Sequence, residues 1–94
     1  LFYSFLPMMF NYFQNLLLAY YSPQKTQEGV AAWLELKSPW AAKDYMTGVR
    51  NYSALKVMQI ISKMREIDAK SKGLDNPNTP PEELMKELIF YILH

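Results

Sequence analysis

The stretch SALKVMQIISKMREIDAKSKG, residues 53–73, has the pattern of a long amphipathic helix around which the other segments are organised. Apolar residues recur along one face at the spacing of a helix, and charged or polar residues occupy the opposite face. The apolar face consists of Val57, Ile60, Ile61, Met64 and Ile67. Ser53 can cap the first turn, and Gly73 can take the left-handed conformation that ends a helix. The stretch therefore predicts a capped helix with one face in a core.

One carboxylate falls on this apolar face. At 100° per residue Asp68 lies among the apolar side chains, near the end where the helix dipole disfavours negative charge. Because an unpaired buried carboxylate costs several kcal/mol, Asp68 needs a partner. We expect either an ion pair with Lys72 or a hydrogen bond to a neighbouring helix; a polar anchor at a subunit interface is the functional alternative. Asp68→Ala is then expected to lower thermal stability more than Glu66→Ala.

Length and composition limit the possible functions. The chain has 94 residues, enough for one domain, and half of them are hydrophobic, which is typical of a globular protein. The formal net charge is +1, which makes nucleic-acid binding a secondary hypothesis. Without cysteine there is no disulfide or thiol nucleophile, in keeping with a cytoplasmic protein. A first residue Leu1 within an apolar segment suggests a fragment of a longer protein.

Residues 1–21 carry no charge, so a membrane segment has to be considered. A proline, Pro7, and several polar residues interrupt the run, and three of the polar residues share one narrow sector of a helical wheel. This pattern favours a helix buried in the core or at a subunit contact. The helix either begins at Pro7 or continues through it with a kink, and it is expected to end near Tyr21.

Turn and cap signals predict the remaining helices. Thr26 and Ser38 are candidate N-caps, the latter followed by proline, and Thr79 with Glu82 matches a capping box. Gly48, inside a helical pattern, indicates close approach of another helix. The chain is therefore predicted to be an all-α, five-helix bundle forming a single domain. The predicted helices cover residues 3–21, 26–36, 39–51, 53–72 and 80–93.

Sequence patterns for catalysis are weak. No glycine begins a phosphate-binding GxxxxGK pattern, and His94 is the single histidine, so neither a metal cluster nor a histidine triad is expected. Glu82 and Glu83 are adjacent at a helix start, where carboxylates complement the dipole. Methionines such as Met58 and Met64 are interpreted as core residues that fill gaps. We expect a protein without enzymatic activity or cofactor.

The second and third helices could form a helix-turn-helix, because the link between them is short. Trp40, Lys43, Thr47 and Arg50 would then face a DNA groove, with Lys43 and Arg50 as possible DNA contacts. An ordinary αα-hairpin is the alternative. Asp44 on the supposed recognition helix and the low net charge both weaken the DNA interpretation.

Residues 29–73 resemble the C-terminal region of the bacterial DNA polymerase III delta subunit. Shared features are an aliphatic-rich turn before a proline in 34–39 and a basic-aromatic-serine junction in 50–53. They also include a long helix that ends with Ile67, Asp68, Lys72 and Gly73. The flanking segments FLPMMFNYFQNLLLAYY and ELMKELIFYILH are similar to that family too, particularly to its Bacteroidetes branch. The loop 74–78 departs from the family pattern.

The resemblance implies the helical collar domain of a clamp loader. In that family the domain packs with those of the other loader subunits, while sliding-clamp and DNA contacts belong to the absent N-terminal part or to the whole complex. It implies a cytoplasmic role in processive DNA replication, with no ATP hydrolysis by this subunit. The structural or interface candidates are Asp68, Lys72, Trp40, Phe10, Phe13 and Leu17. The apolar residues 1–21 also predict self-association of the isolated chain.

Overall fold

The computed structural model describes residues 2–73 and 79–94, and this part of the chain is built from helices and connecting loops. The elements in chain order are α1 (Phe2–Ala19), α2 (Gln27–Trp33), a 3-10 turn (Pro39–Ala42), α3 (Lys43–Asn51), α4 (Ala54–Ser71) and α5 (Pro81–Leu93). The predicted all-α, five-helix fold is confirmed. The segment 74–78, predicted to be a loop, lies outside the described residues.

Helix α4 has the ends and the buried face that the sequence predicts. The Ser53 hydroxyl accepts a hydrogen bond from the Lys56 amide at 3.1 Å, and Gly73 follows the helix with a φ of 76°. All five predicted core residues of α4 are buried. Both ends of α4 are capped by residues next to it in the sequence. Other helices therefore contribute mainly by covering its apolar face.

The main core lies where α1 and α5 pack against α4. Phe2, Leu6, Phe13 and Leu16 of α1 meet the apolar face of α4, together with Leu84 and Leu88 of α5. A smaller cluster joins the end of α1 to α2 and the 3-10 turn. It is formed by Ala19, Val30, Ala31 and Ala42. Small side chains in the second cluster let these short elements approach α1 closely.

An ion-pair network fixes α5 alongside α4. Lys63 Nζ lies 2.8 Å from Glu87 Oε2 and 3.0 Å from Glu66 Oε2, and Lys70 Nζ lies 3.3 Å from both carboxylates. Hydrogen bonds from Lys63, and then from Lys70, lower the pKa of the Glu66 and Glu87 carboxyls. The network joins the two helices at the edge of the core, where the side chains remain partly exposed.

Helix α3 crosses α1 at Gly48, as the sequence predicts. A Cβ atom at position 48 would lie 2.7 Å from Leu16 Cδ1 and 2.8 Å from Tyr12 Oη. Leu16 is fully buried, and the Tyr12 hydroxyl lies 3.3 Å from the Asp44 carbonyl, to which it donates a hydrogen bond. A Cβ at position 48 would therefore force Leu16 or the Tyr12 hydroxyl to shift from its observed position.

Three helix boundaries differ from the prediction. Helix α1 runs through Pro7 and ends at Ala19 instead of Tyr21. Helix α2 ends at Trp33 instead of residue 36, because Glu35 takes a left-handed φ of 57° and the chain turns there. The predicted third helix divides into a 3-10 turn and α3. Proline at the start of that turn favours a tight first turn before regular α-helical bonding begins.

The predicted capping box at Thr79 is wrong. Pro80 is the N-cap of α5 and Pro81 is the first helical residue, with no side-chain capping bond at Pro80. The Pro80 carbonyl accepts hydrogen bonds from the Glu83 and Leu84 amides, so helical bonding starts one residue later than expected. The prolines account for this start, because they have no amide to satisfy and their φ is already helical.

Candidate partner-binding surface

A groove runs along the outer side of the molecule between α1 and α4, and we call it the α1/α4 groove. One end is formed by Gln14, Asn15, Leu17, Leu18, Met58, Ile61 and Arg65. The other end is formed by Leu6, Pro7, Phe10, Met64, Arg65 and Asp68. Arg65 contributes to both ends and therefore marks the middle of the groove.

The two helices lining the groove are antiparallel, because higher residue numbers in α1 face lower numbers in α4. Along α4 the groove extends from Met58 to Asp68, ten residues apart. At a rise of about 1.5 Å per residue this is about 15 Å, or nearly three helical turns. The length matches a short helix segment better than a small molecule.

Exposed apolar side chains border one end of the groove. Leu18 is 50% exposed and Met58 is 46% exposed, so the interpretation of Met58 as a core residue is wrong. On the helical wheel Met58 lies 100° beyond Val57 and away from Ile60, which moves it from the buried stripe to its flank. Apolar groups in this position lose contact with water only if a partner covers them.

Arg65 supplies the positive charge in the groove, and Asp68 supplies a carboxylate at one end. The Arg65 guanidinium carbon lies 5.8 Å from the centroid of the Phe10 ring. Within residues 2–73 and 79–94, Arg65 forms no ion pair with a carboxylate. A guanidinium group beside an aromatic ring is weakly hydrated and presents a planar set of donors. The groove is therefore suited to a partner that offers a carboxylate next to apolar side chains.

Three of the residues predicted to form an interface lie together on one surface, and a fourth lies in the core. Phe10, Leu17 and Asp68 all line the α1/α4 groove. Phe13, in contrast, is 2% exposed, and its ring packs edge-on against Tyr52 in the core. Phe13 thus stabilises the bundle and is not accessible to another subunit in this fold.

The Asp68 carboxylate has the ion pair that the sequence suggested. Asp68 Oδ2 lies 3.0 Å from Lys72 Nζ. The two side chains are 47% and 67% exposed, so the expected burial of the carboxylate is not observed. Asp68 lies at the end of the groove that Leu6, Pro7 and Phe10 of α1 form. The desolvation cost assumed from the sequence therefore does not arise.

The candidate DNA-contacting residues lie on a different surface, formed by α3 and the 3-10 turn before it. Trp40 is 72% exposed, and Lys43 Nζ lies 4.6 Å from the centroid of its ring. Arg50 donates to the Thr47 hydroxyl at 3.3 Å. Residues 34–42 separate α2 from α3, so the link is longer than the three- or four-residue turn of a helix-turn-helix. The expectation of a short link is wrong.

Two residues that line the groove, Leu18 and Arg65, are not among the site residues predicted from the sequence. The available signal was the sector of α4 next to its buried stripe, where Met58 and Arg65 recur at a spacing of seven residues. That sector becomes a surface only when α1 lies beside it.

Other kinds of site receive no support from the part of the chain that the structure describes. Its acidic and histidine side chains form no group of three or more that could hold a metal ion. Within the same residues, no helix has the length and apolar character needed to cross a bilayer. Comparison with protein-family models, curated protein sequences and solved structures gives no match to this chain.

Proposed function

We propose that the chain is a helical assembly domain that packs against other subunits of a complex. The observation that carries this proposal is the α1/α4 groove, where apolar side chains and the Arg65 guanidinium remain uncovered. A stable core lies beneath it, so the groove is not needed to complete the fold. An exposed apolar surface on a folded domain is typical of a binding site.

The complex we propose is the bacterial clamp loader, with this chain as the collar domain of its delta subunit. The support is the order of motifs in residues 29–73 together with the similar flanking helices. In this role the domain holds the loader together during sliding-clamp loading and processive DNA replication in the cytoplasm. It carries out no catalysis itself, and clamp binding belongs to other parts of the parent protein.

A pull-down with clamp-loader subunits from a Bacteroidetes species tests this function. We expect the tagged chain to retain the ATP-hydrolysing loader subunits. The double variant Leu18→Ser/Met58→Ser, which makes the groove polar, should reduce their recovery. Met8→Ser is the matched control, because Met8 is an exposed methionine of α1 that does not line the groove.

The pull-down contradicts the proposal if the folded chain retains no loader subunit. Equal recovery with the groove variant and with Met8→Ser would place the contact on another surface. Circular dichroism of each variant confirms that the helices are intact before the comparison is made.

A small DNA-binding module is the second candidate. The observation in its favour is the set of exposed residues on the 3-10 turn and α3, namely Trp40, Lys43, Thr47 and Arg50. Duplex and single-strand binding measured against salt concentration tests it. Tight binding with a steep salt slope, lost in Lys43→Ala and Arg50→Ala, would support DNA binding over assembly. Asp44 beside these residues and the long link before α3 argue against it.

A further inference from the structure

A pocket of about 170 Å³ lies where the end of α1 meets α2 and α3. Ala19 and Val30 form its base, with 1% and 3% of each residue exposed. Tyr45, Met46 and Val49 of α3 form its wall. We call it the α3 pocket. It shares no lining residue with the α1/α4 groove, so it is a separate site.

The interior of the α3 pocket is mostly apolar. Met46 and Val49 contribute apolar side chains, and the Tyr45 hydroxyl accepts a hydrogen bond from the Asn15 amide at 3.1 Å. The Val49 carbonyl accepts a hydrogen bond from the Tyr20 hydroxyl at 3.3 Å. A water molecule needs about two to four polar partners to stay in such a space. An apolar group therefore fills the pocket better than water does.

The volume of the α3 pocket sets the size of a suitable ligand. An apolar protein cavity of about 150 Å³ accepts benzene, so a pocket of about 170 Å³ has room for one six-membered ring and little more. The Met46 thioether and the Tyr45 ring favour an aromatic ring, because sulfur and ring edges make favourable contacts with aromatic groups. Exposed residues also line the pocket, so a polar substituent on the ring can reach the surface.

Two exposed cationic side chains, Lys25 and Arg50, lie at the mouth of the pocket. Lys25 Nζ donates to the Tyr20 carbonyl at 2.9 Å and to the Ser22 carbonyl at 2.6 Å, which holds the ammonium group beside the end of α1. Arg50 donates to the Thr47 hydroxyl at 3.3 Å. An ammonium group has three donors and a guanidinium group has five, so within the described chain both keep donors for a ligand.

The acidic residues of the helices that form the pocket point away from it. Asp44 on α3 and Glu28 on α2 each lie two residues from a pocket residue, which is about 160° away on the helical wheel. Neither of them lines the pocket. Within residues 2–73 and 79–94, Lys25 and Arg50 form no ion pair with a carboxylate. The mouth of the pocket therefore has two positive charges and no carboxylate beside them.

We propose that the α3 pocket binds a small aromatic monocarboxylate. The ring packs against Ala19, Val30 and Val49, and the carboxylate accepts hydrogen bonds from Arg50 and Lys25 at the mouth. Phenylacetate has both parts at a suitable size, because one methylene separates its ring from its carboxylate. Assembly through the α1/α4 groove does not require this site, so the inference goes beyond the proposed function.

An NMR titration of the backbone amides with phenylacetate tests the inference. We expect saturable shifts at the amides of Val30, Met46 and Val49, with a Kd of about 1 mM, which is ordinary for a ligand of this size. Phenylacetamide, the neutral isostere, should bind about tenfold more weakly. That factor corresponds to about 1.4 kcal/mol, a reasonable total for contacts to two exposed cations.

Two variants and a control connect the binding to the pocket. Arg50→Gln removes one of the two cations and should weaken binding about threefold. Val49→Phe fills the pocket with a ring of the chain itself and should abolish the shifts. Lys86→Gln is the matched control, because it removes an exposed positive charge on α5 and should leave the Kd unchanged. The same spectra show whether each variant is folded, and Arg50→Gln with the neutral ligand decides the matter if Val49→Phe does not fold.

The inference is overturned if phenylacetate gives no saturable shifts up to about 20 mM, which is about twenty times the expected Kd. It is also overturned if phenylacetamide binds equally well, or if Arg50→Gln or folded Val49→Phe leaves the affinity unchanged. N-acetylphenylalanine mimics the end of a peptide chain, so saturation by that compound alone would assign the pocket to a peptide terminus and not to a small acid. The pull-down with loader subunits tests the proposed function separately.

Discussion

Substituting Gly48 by alanine tests the packing of α3 on α1. On an open helix surface the change would stabilise the protein by about 1 kcal/mol, because alanine has the higher helix propensity. Here the added Cβ would lie 2.7 Å from Leu16 Cδ1 and 2.8 Å from Tyr12 Oη. Leu16 is fully buried and has little room to move, and moving Tyr12 would disturb its hydrogen bond to the Asp44 carbonyl.

Overpacking of this kind costs about 1–3 kcal/mol. With about 2 kcal/mol lost to the contact and about 1 kcal/mol gained in propensity, we expect a net destabilisation of about 1 kcal/mol. For a domain of this size that corresponds to a fall in Tm of about 4–8 °C. Thermal unfolding followed by circular dichroism at 222 nm, a wavelength that reports helix content, gives the Tm.

Thr47→Ala is the control for Gly48→Ala. It is the neighbouring residue of α3 and is exposed, so alanine should be neutral or slightly stabilising there. A rise in Tm for Gly48→Ala would refute the close approach of α3 and α1. A second check uses Leu16→Val, which shortens the side chain nearest to position 48. In that background Gly48→Ala should cost less than it does in the native chain.

Two further predictions concern the charged residues of α4 and α5. The pKa values of Glu66 and Glu87 are lowered in the folded chain. The stability that their ionised carboxylates contribute is therefore present above the ordinary pKa of 4.5, and it is lost as the pH falls through the lowered pKa values. We expect Tm to fall below about pH 4.5, and to fall less in Glu87→Gln, in melts recorded across that range. The structure also revises the expected order of two alanine variants: Glu66 binds two lysines and Asp68 binds one, so Glu66→Ala should lower Tm at least as much as Asp68→Ala. A clearly larger fall for Asp68→Ala would show that its carboxylate has a role beyond the ion pair with Lys72.

The sequence predicted the features that depend on local chemistry. The caps at Ser53 and Thr26 are present because a hydroxyl and the amides it accepts from are only three residues apart. Where two local signals competed, the prediction was wrong. At the start of α5, Thr79 and two prolines all favoured a helix start, and the prolines set it one residue later.

The candidate surface was less predictable than the fold. Phe10, Leu17 and Asp68 were singled out from the sequence and lie together in the groove, whereas Phe13 lies in the core. Periodicity identifies the apolar side of a helix, but it does not tell which part of that side a neighbouring helix covers. Arg65 lines the groove only because α1 packs beside α4 at this point.

The sequence by itself determined that the chain is a five-helix, all-α protein and that residues 53–73 form its central helix. The spacing of apolar residues and the caps are properties of single segments, so they do not depend on how the helices are arranged. Only the tertiary structure decided which edges of α1 and α4 remain uncovered, and that α5 faces away from the groove. These features come from the packing of helices distant in sequence, where the shapes of many side chains together fix the geometry.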